Sequence, residues 1–309
     1  MNITKTIQQT DLILTECAIS ERLRRKKDIQ LDPLLFLTPL IYDPLGRKYL
    51  TEIYQQYREI ATQAKLPILL CAPTWRIDQK RIGLSAGSPA MNRDAVEFMR
   101  QLQHLWHEDE SPLFIGGLLA PKNDCYTPTE ALSRQEARRY HAWQINELEI
   151  SGVDIIIAQT IPSVNEACGM ADAIAETDTP YCISFVINRF GNVLDTTPLA
   201  DAMKTIDNNV SRPPAGYMVN CVYPTFLLAE LQQPVFFERL IGIQANSSSL
   251  DHEQLDGCSK LQQNPLEEWG NDMLDLHNRY GVKILGGCCG TDDNHLRYLT
   301  DNLHKKSSF

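Results

Sequence analysis

The chain has 309 residues, 43% apolar and 22% charged, enough for one large α/β domain or two modest ones. Its 29 basic and 39 acidic residues leave a net charge of -10, which argues against nucleic acid or an anionic membrane as partner and favours small molecules. The opening stretch MNITKTIQQTDLILTE lacks a basic region followed by a sustained apolar run, and no apolar run reaches spanning length, so a cytoplasmic protein is expected.

Short apolar runs at residues 12–15, 67–73, 112–119, 154–160, 181–186, 217–221, 240–245 and 283–287 predict eight strands, with residues 34–40 as a possible ninth. Between them, stretches such as 46–64, 92–108, 133–151 and 265–281 carry apolar residues at helical spacing, the last with Gly281 placed as a C-cap. Strict alternation of strand and helix means a parallel sheet, and eight units predict a closed (β/α)8 barrel in a single domain, residues 1–309. The runner-up is a doubly wound open sheet, but no Gly-x-Gly-x-x-Gly follows the first strand.

Nine cysteines, at 17, 71, 125, 168, 182, 221, 258, 288 and 289, are odd in number and irregular in spacing, unlike a disulfide framework. Cys71 in PILLCAP and Cys182 in PYCISFVI lie in apolar runs, where a thiol is a small hydrophobe. Cys221, in GYMVNCVYP, and Cys288 and Cys289, in KILGGCCGT, end two of the predicted strands. In a barrel those ends carry the chemistry. Adjacent strand residues point to opposite faces, so Cys288 and Cys289 grip one ion only if the chain bends, which Gly286, Gly287 and Gly290 permit. Three thiolates with an open fourth position describe a catalytic zinc site.

The pairing of the Cys221 motif with GGCCG resembles the homocysteine S-methyltransferase family over roughly residues 11–300, most specifically over 216–295. The resemblance implies a barrel with Cys221, Cys288 and Cys289 as Zn2+ ligands. It further implies transfer of a methyl group to a thiol, homocysteine giving methionine. Glu16-Cys17 stands where the family has an Asp-Gly pair near the substrate amine, and Thr74 of CAPTWR matches the second-strand segment, with Arg76 peculiar to this chain. Gln159 stands in place of a family glutamate, and Asn220 and Asn246 complete the substrate-binding candidates. Folate- and cobalamin-dependent relatives append further modules, so a small sulfonium donor is favoured, S-methylmethionine or S-adenosylmethionine, with betaine second. Trp75 and Tyr223 offer aromatic faces to such a cation.

Other features read as structural. His141, His277 and His295 fall in predicted helices as surface or packing groups, Thr291 or Asp292 is a helix N-cap, and 247–265 is a polar loop over the mouth that could serve as a lid. Two alternatives stay open: a zinc-bearing scaffold without catalysis, suggested by Gln159, and a cluster of redox-sensing thiols.

Overall fold

Each of the eight apolar runs forms a strand in the computed structural model, which describes residues 2–85, 87–107, 110–255 and 261–303. The strands are β1 (Ile13–Thr15), β2 (Ile68–Ala72), β3 (Leu113–Leu119), β4 (Ile155–Ile161), β5 (Tyr181–Phe185), β6 (Gly216–Val222), β7 (Leu240–Ala245) and β8 (Ile284–Gly287). All pair in parallel and in sequence order, and β1 meets β8 through Ile13↔Ile284 and Leu14↔Leu285, closing a (β/α)8 barrel. Helices Pro44–Ala64, Met91–Leu105, Arg134–Ile150, Val164–Ile174, Leu199–Asn209, Pro234–Arg239, Leu266–Tyr280 and Asp293–Asn302 follow the successive strands. Gly281 caps the seventh of them in the left-handed conformation, φ 75°.

The pleat sorts the strand residues into two cores. Ile68, Leu70 and Ala72 face outward and join Tyr54, Phe98 and Met99 of the flanking helices, whereas Leu69 and Cys71 face inward and join Ile13, Ile157, Cys182, Met218 and Ile284. Cys71 and Cys182 are therefore interior filler, and burial pushes both thiols up, Cys182 to about 12. Ile3 and Ile7 of the Ile3–Gln9 helix pack on the inward cluster and plug the N-terminal end of the barrel. Lys283 ties that plug to β8 by donating to the Ile7 carbonyl, 2.9 Å.

Residues 34–40 are not a ninth strand. Asp32 bridges Phe36 in a tight antiparallel turn, its carboxylate accepting from the Leu34 and Leu35 amides, and a 3-10 turn follows at Thr38–Ile41. Leu35 instead fills a satellite core with Ile77, Ile82 and Met91 under the β2 loop.

Two bulges bend the C-terminal ends of strands. Pairing skips Thr160 between β4 and β5 and Cys221 between β6 and β7, and both residues are left-handed, at φ 63° and 54°. Such conformations cost about 1–3 kcal/mol and persist only where the surroundings impose them.

Candidate functional site

Asn220 imposes both bulges. Its side-chain nitrogen donates to Thr160 Oγ1 at 2.7 Å, and its oxygen accepts from the Thr160 amide at 2.9 Å and the Ser184 hydroxyl at 2.7 Å. The backbone bent in this way places Cys221 at the end of β6, partly exposed. On β8 the chain leaves the strand after Gly287 and turns through Cys288–Thr291, the Thr291 amide donating to the Cys288 carbonyl at 3.2 Å. Gly290 sits at φ 80° in that turn, and a Cβ there would run into the Ser247 side chain, so glycine suits the position. Cys288 donates its amide to Ala245 and Cys289 to the Asn246 side chain, which fixes both residues against β7.

The three sulfurs lie within 4.8 Å of one another, with Cys221 Sγ 2.7 Å from Cys288 Sγ. These separations bracket the edge of about 3.8 Å between thiolates bound 2.3 Å from one tetrahedral ion. As the thiols stand, Cys221 ionises first, held well below the ordinary thiol range by hydrogen bonds from Cys288, Cys289 and Tyr126. The others go the opposite way: Cys288 is pushed well up and Cys289 to about 12, chiefly through their hydrogen bonds to Cys221. A trio that sheds one proton readily and resists losing the next is one that a cation stabilises. Soft thiolates in a partly open cluster fit such an ion.

Tyr126, on the loop after β3, was not legible in the sequence. The Cys221 charge and burial push its hydroxyl well up, so it remains a donor, and its ring stacks on His252 with centroids 4.5 Å apart. Buried Glu166 holds that loop, accepting from the Lys122 amide at 2.9 Å and the Leu132 amide at 3.2 Å and meeting His141 at 3.1 Å. His141 is thus a buried partner of a carboxylate rather than a surface group.

The substrate-binding candidates divide. Glu16 lies at the mouth between β1 and β2, 6% exposed, accepting from the Cys71 amide; burial raises its carboxyl to about 7. Gln159 is half-buried and donates to Gln244, whose own amide reaches the Glu16 carbonyl. Arg76 rests on the Trp75 ring, 5.0 Å from its centroid, with its Nε buried and without a hydrogen-bond partner among the described residues. Thr74 and Asn220 point into the scaffold instead, Thr74 fully buried with its hydroxyl linked to both the amide and the carbonyl of Leu118, whereas Asn246 accepts from the Cys289 amide beside the cluster. Tyr223 is buried as well and donates to Glu268, so it offers no open ring face. Asp292, not Thr291, caps the last helix, and His295 completes that capping box.

A cavity of about 190 Å3 adjoins Cys221, lined by Ile187, Phe226 and Asn246 and rimmed by Arg189, Asp251 and His252. Asp251 and His252 belong to the 247–265 segment, of which residues 256–260, with Cys258, lie outside the described residues. Arg189 and Asp251 escaped the sequence reading because they become neighbours only across the mouth.

Among the described residues no helix is long and apolar enough to cross a membrane. Homocysteine S-methyltransferase 3 of Arabidopsis thaliana is 25% identical over 193 residues, 58% of this chain and 52% of that protein. Homocysteine S-methyltransferase YbgG of Bacillus subtilis (strain 168) is 27% identical over 190 residues, 60% of this chain and 57% of that protein. The match therefore spans little more than half the length of either relative. In three dimensions the chain superposes on the metallated form of the homocysteine methyltransferase MmuM from Escherichia coli with a TM-score of 0.75 at 16% identity, covering 96% of this chain and 98% of that one. A model of the homocysteine S-methyltransferase family matches residues 13–303. That range takes in all eight strands and all three clustered cysteines, and by it the chain belongs to the homocysteine S-methyltransferase family.

Proposed function

We propose that this barrel, as one domain over residues 1–309, transfers a methyl group from a small sulfonium donor to a thiol, with homocysteine as acceptor and methionine as product. The observation that carries the reading is the convergence of Cys221, Cys288 and Cys289 beside an open cavity. Zn2+ is the ion we assign to them, and when bound it deprotonates an acceptor thiol so that the sulfur is nucleophilic near neutral pH. We place the protein in the cytoplasm, where reducing conditions keep its thiols available.

The chain's own residues supply position. Asn246 fixes the Cys289 backbone, Asn220 fixes the bend at Cys221, and Tyr126 donates to the Cys221 sulfur, tempering its charge. The amino end of the acceptor meets Glu16 and the side-chain oxygen of Gln159, since the Gln159 side-chain nitrogen is already engaged with Gln244 and its backbone carbonyl with the Trp75 indole. With its carboxyl near 7, Glu16 takes up negative charge when an ammonium arrives, which offsets the neutral Gln159. Arg76 is placed to receive a carboxylate.

Metal analysis tests the assignment. The purified chain should hold about one zinc, and Cys221→Ala, Cys288→Ala and Cys289→Ala should each lose both metal and methyl transfer. Cys71→Ala and Cys182→Ala should keep the metal and lose only stability. Full zinc retention in all three cluster variants refutes the reading. X-ray absorption should add one sulfur to the zinc shell with homocysteine and none with donor alone.

A further inference from the structure

Arg76 stands at the mouth with a charge and no counterion. It follows β2 and lies on the Trp75 ring, 5.0 Å from the centroid, while the Trp75 indole donates to the Gln159 backbone carbonyl at 3.2 Å, so the guanidinium is carried beside the end of β4. Buried Cys125 is within electrostatic reach of both Arg76 and Cys289, which puts the guanidinium on the cluster's side of the mouth. The carboxylates near it are taken: Asp78 pairs with Arg81, and Asp124 accepts from the Tyr126 amide at 2.6 Å. Its Nε is buried, and among the described residues Arg76 makes no hydrogen bond or ion pair. Burial and the nearby Arg81 pull its pKa below the ordinary arginine range, as for a cation without a counterion. The amino end of an acceptor finds less. Gln159 is neutral and its side-chain nitrogen is held by Gln244 at 2.8 Å, and Glu16, 6% exposed, already accepts from the Cys71 amide at 3.1 Å and the Thr15 hydroxyl at 3.3 Å. An arriving ammonium must share a carboxylate that the scaffold uses, whereas an arriving carboxylate meets a guanidinium whose fork is unclaimed.

We propose that this site selects its acceptor by the acid end alone, so that a thiol bearing a carboxylate and no ammonium is methylated alongside homocysteine, with Arg76 as the group that holds it. The inference rests on the methyl-transfer reading and extends its acceptors to ω-mercaptocarboxylates. Both N–H edges that a bidentate carboxylate needs are on one residue, and no second charge on the ligand is required to hold the thiol toward the cluster. The acceptor thiol loses its proton to solvent, and its sulfur forms a bond to the methyl carbon of the sulfonium donor. The donor's own sulfur–methyl bond breaks and returns its electron pair to the donor sulfur. The products are a methylthio carboxylate, the demethylated donor and one proton.

Calorimetric titration of the zinc-loaded full chain without donor separates recognition from chemistry. The probes are homocysteine, γ-mercaptobutyrate, which lacks only its ammonium, and γ-mercaptopropylamine, which lacks only its carboxylate. In the wild type γ-mercaptobutyrate should bind within about tenfold of homocysteine, and γ-mercaptopropylamine should bind more weakly than either by about tenfold, the worth of one charge-assisted pair. Arg76→Gln should weaken homocysteine and γ-mercaptobutyrate by about that factor and leave γ-mercaptopropylamine unchanged. Gln159→Glu, which adds a carboxylate for the amine, should tighten γ-mercaptopropylamine and not γ-mercaptobutyrate. The proposal is overturned if γ-mercaptobutyrate binds the wild type far more weakly than homocysteine does, or if Arg76→Gln leaves its affinity intact. Equal weakening of all three thiols by Arg76→Gln also overturns it, because that is the result of a merely structural arginine. Turnover is measured separately with the sulfonium donors. Methylation of homocysteine but not of γ-mercaptobutyrate would sink the inference alone, whereas Arg76-dependent binding with methylation of neither thiol would sink the methyl-transfer reading.

Discussion

Asn220 shows how one buried amide shapes a site it does not enter. Its three hydrogen bonds satisfy the Thr160 amide and the hydroxyls of Thr160 and Ser184, all in the interior. Asn220→Ala strands these groups at about 1–3 kcal/mol for each that water cannot reach, so we expect a loss of about 3 kcal/mol in urea unfolding together with weakened metal retention. A stable variant with full metal content would show that Cys221 holds its bend unaided. Glu16 carries a pH signature. The folded chain binds its proton more tightly than the unfolded chain, about 7 against an ordinary 4.5, so it holds more protons between those values. Stability from this group is therefore full below about pH 4.5 and falls as pH rises to about 7, by about 3 kcal/mol at most. Glu16→Gln keeps the acceptor for the Cys71 amide and removes the charge, so its unfolding free energy should decline less from pH 5 to pH 8 than that of the wild type. Parallel declines in the two chains would locate the effect elsewhere.

At the scale of elements, the strands were legible because a buried parallel strand leaves an unbroken apolar run, and each run lies within two residues of its strand. The cysteine cluster was legible from its two motifs. What stayed hidden depends on the third dimension. Asn220 was read as a site group because it sits next to a cluster cysteine, yet neighbours on a strand face opposite ways; Thr74 was read so because CAPTWR matches the family's second-strand segment, yet its hydroxyl is taken up by Leu118, and each turned into the scaffold. Neither bulge shows in the sequence, since one skipped residue leaves an apolar run unbroken. Glu166, likewise invisible as a functional residue, staples the loop that carries Tyr126. Glu166→Ala should speed hydrogen exchange at the Lys122 and Leu132 amides by more than tenfold while leaving β4 protected. Unchanged exchange at both amides would show that the loop holds without its staple.

For the molecule as a whole, the cysteine cluster joins β6 to β8 past the intervening β7. A metal bound there and not in the unfolded chain stabilises the fold by about 4 kcal/mol at a thousandfold excess over its dissociation constant. Thermal unfolding with and without chelator should shift accordingly in the wild type and not in Cys221→Ala. An equal chelator effect in both would place the metal elsewhere.

The distance along the chain between the ligands has a consequence in time. Cys221 and Cys288 are 67 residues apart, and a ribosome adding about 5–20 residues per second spends roughly 3 to 13 seconds between them. Closure waits about four times longer, because Ile13 has no strand partner until Ile284 has been made, roughly 14 to 54 seconds later at the same rate. Throughout the shorter interval Cys221 stands on an open sheet without its two cluster partners, its thiol exposed to oxidants until β8 arrives.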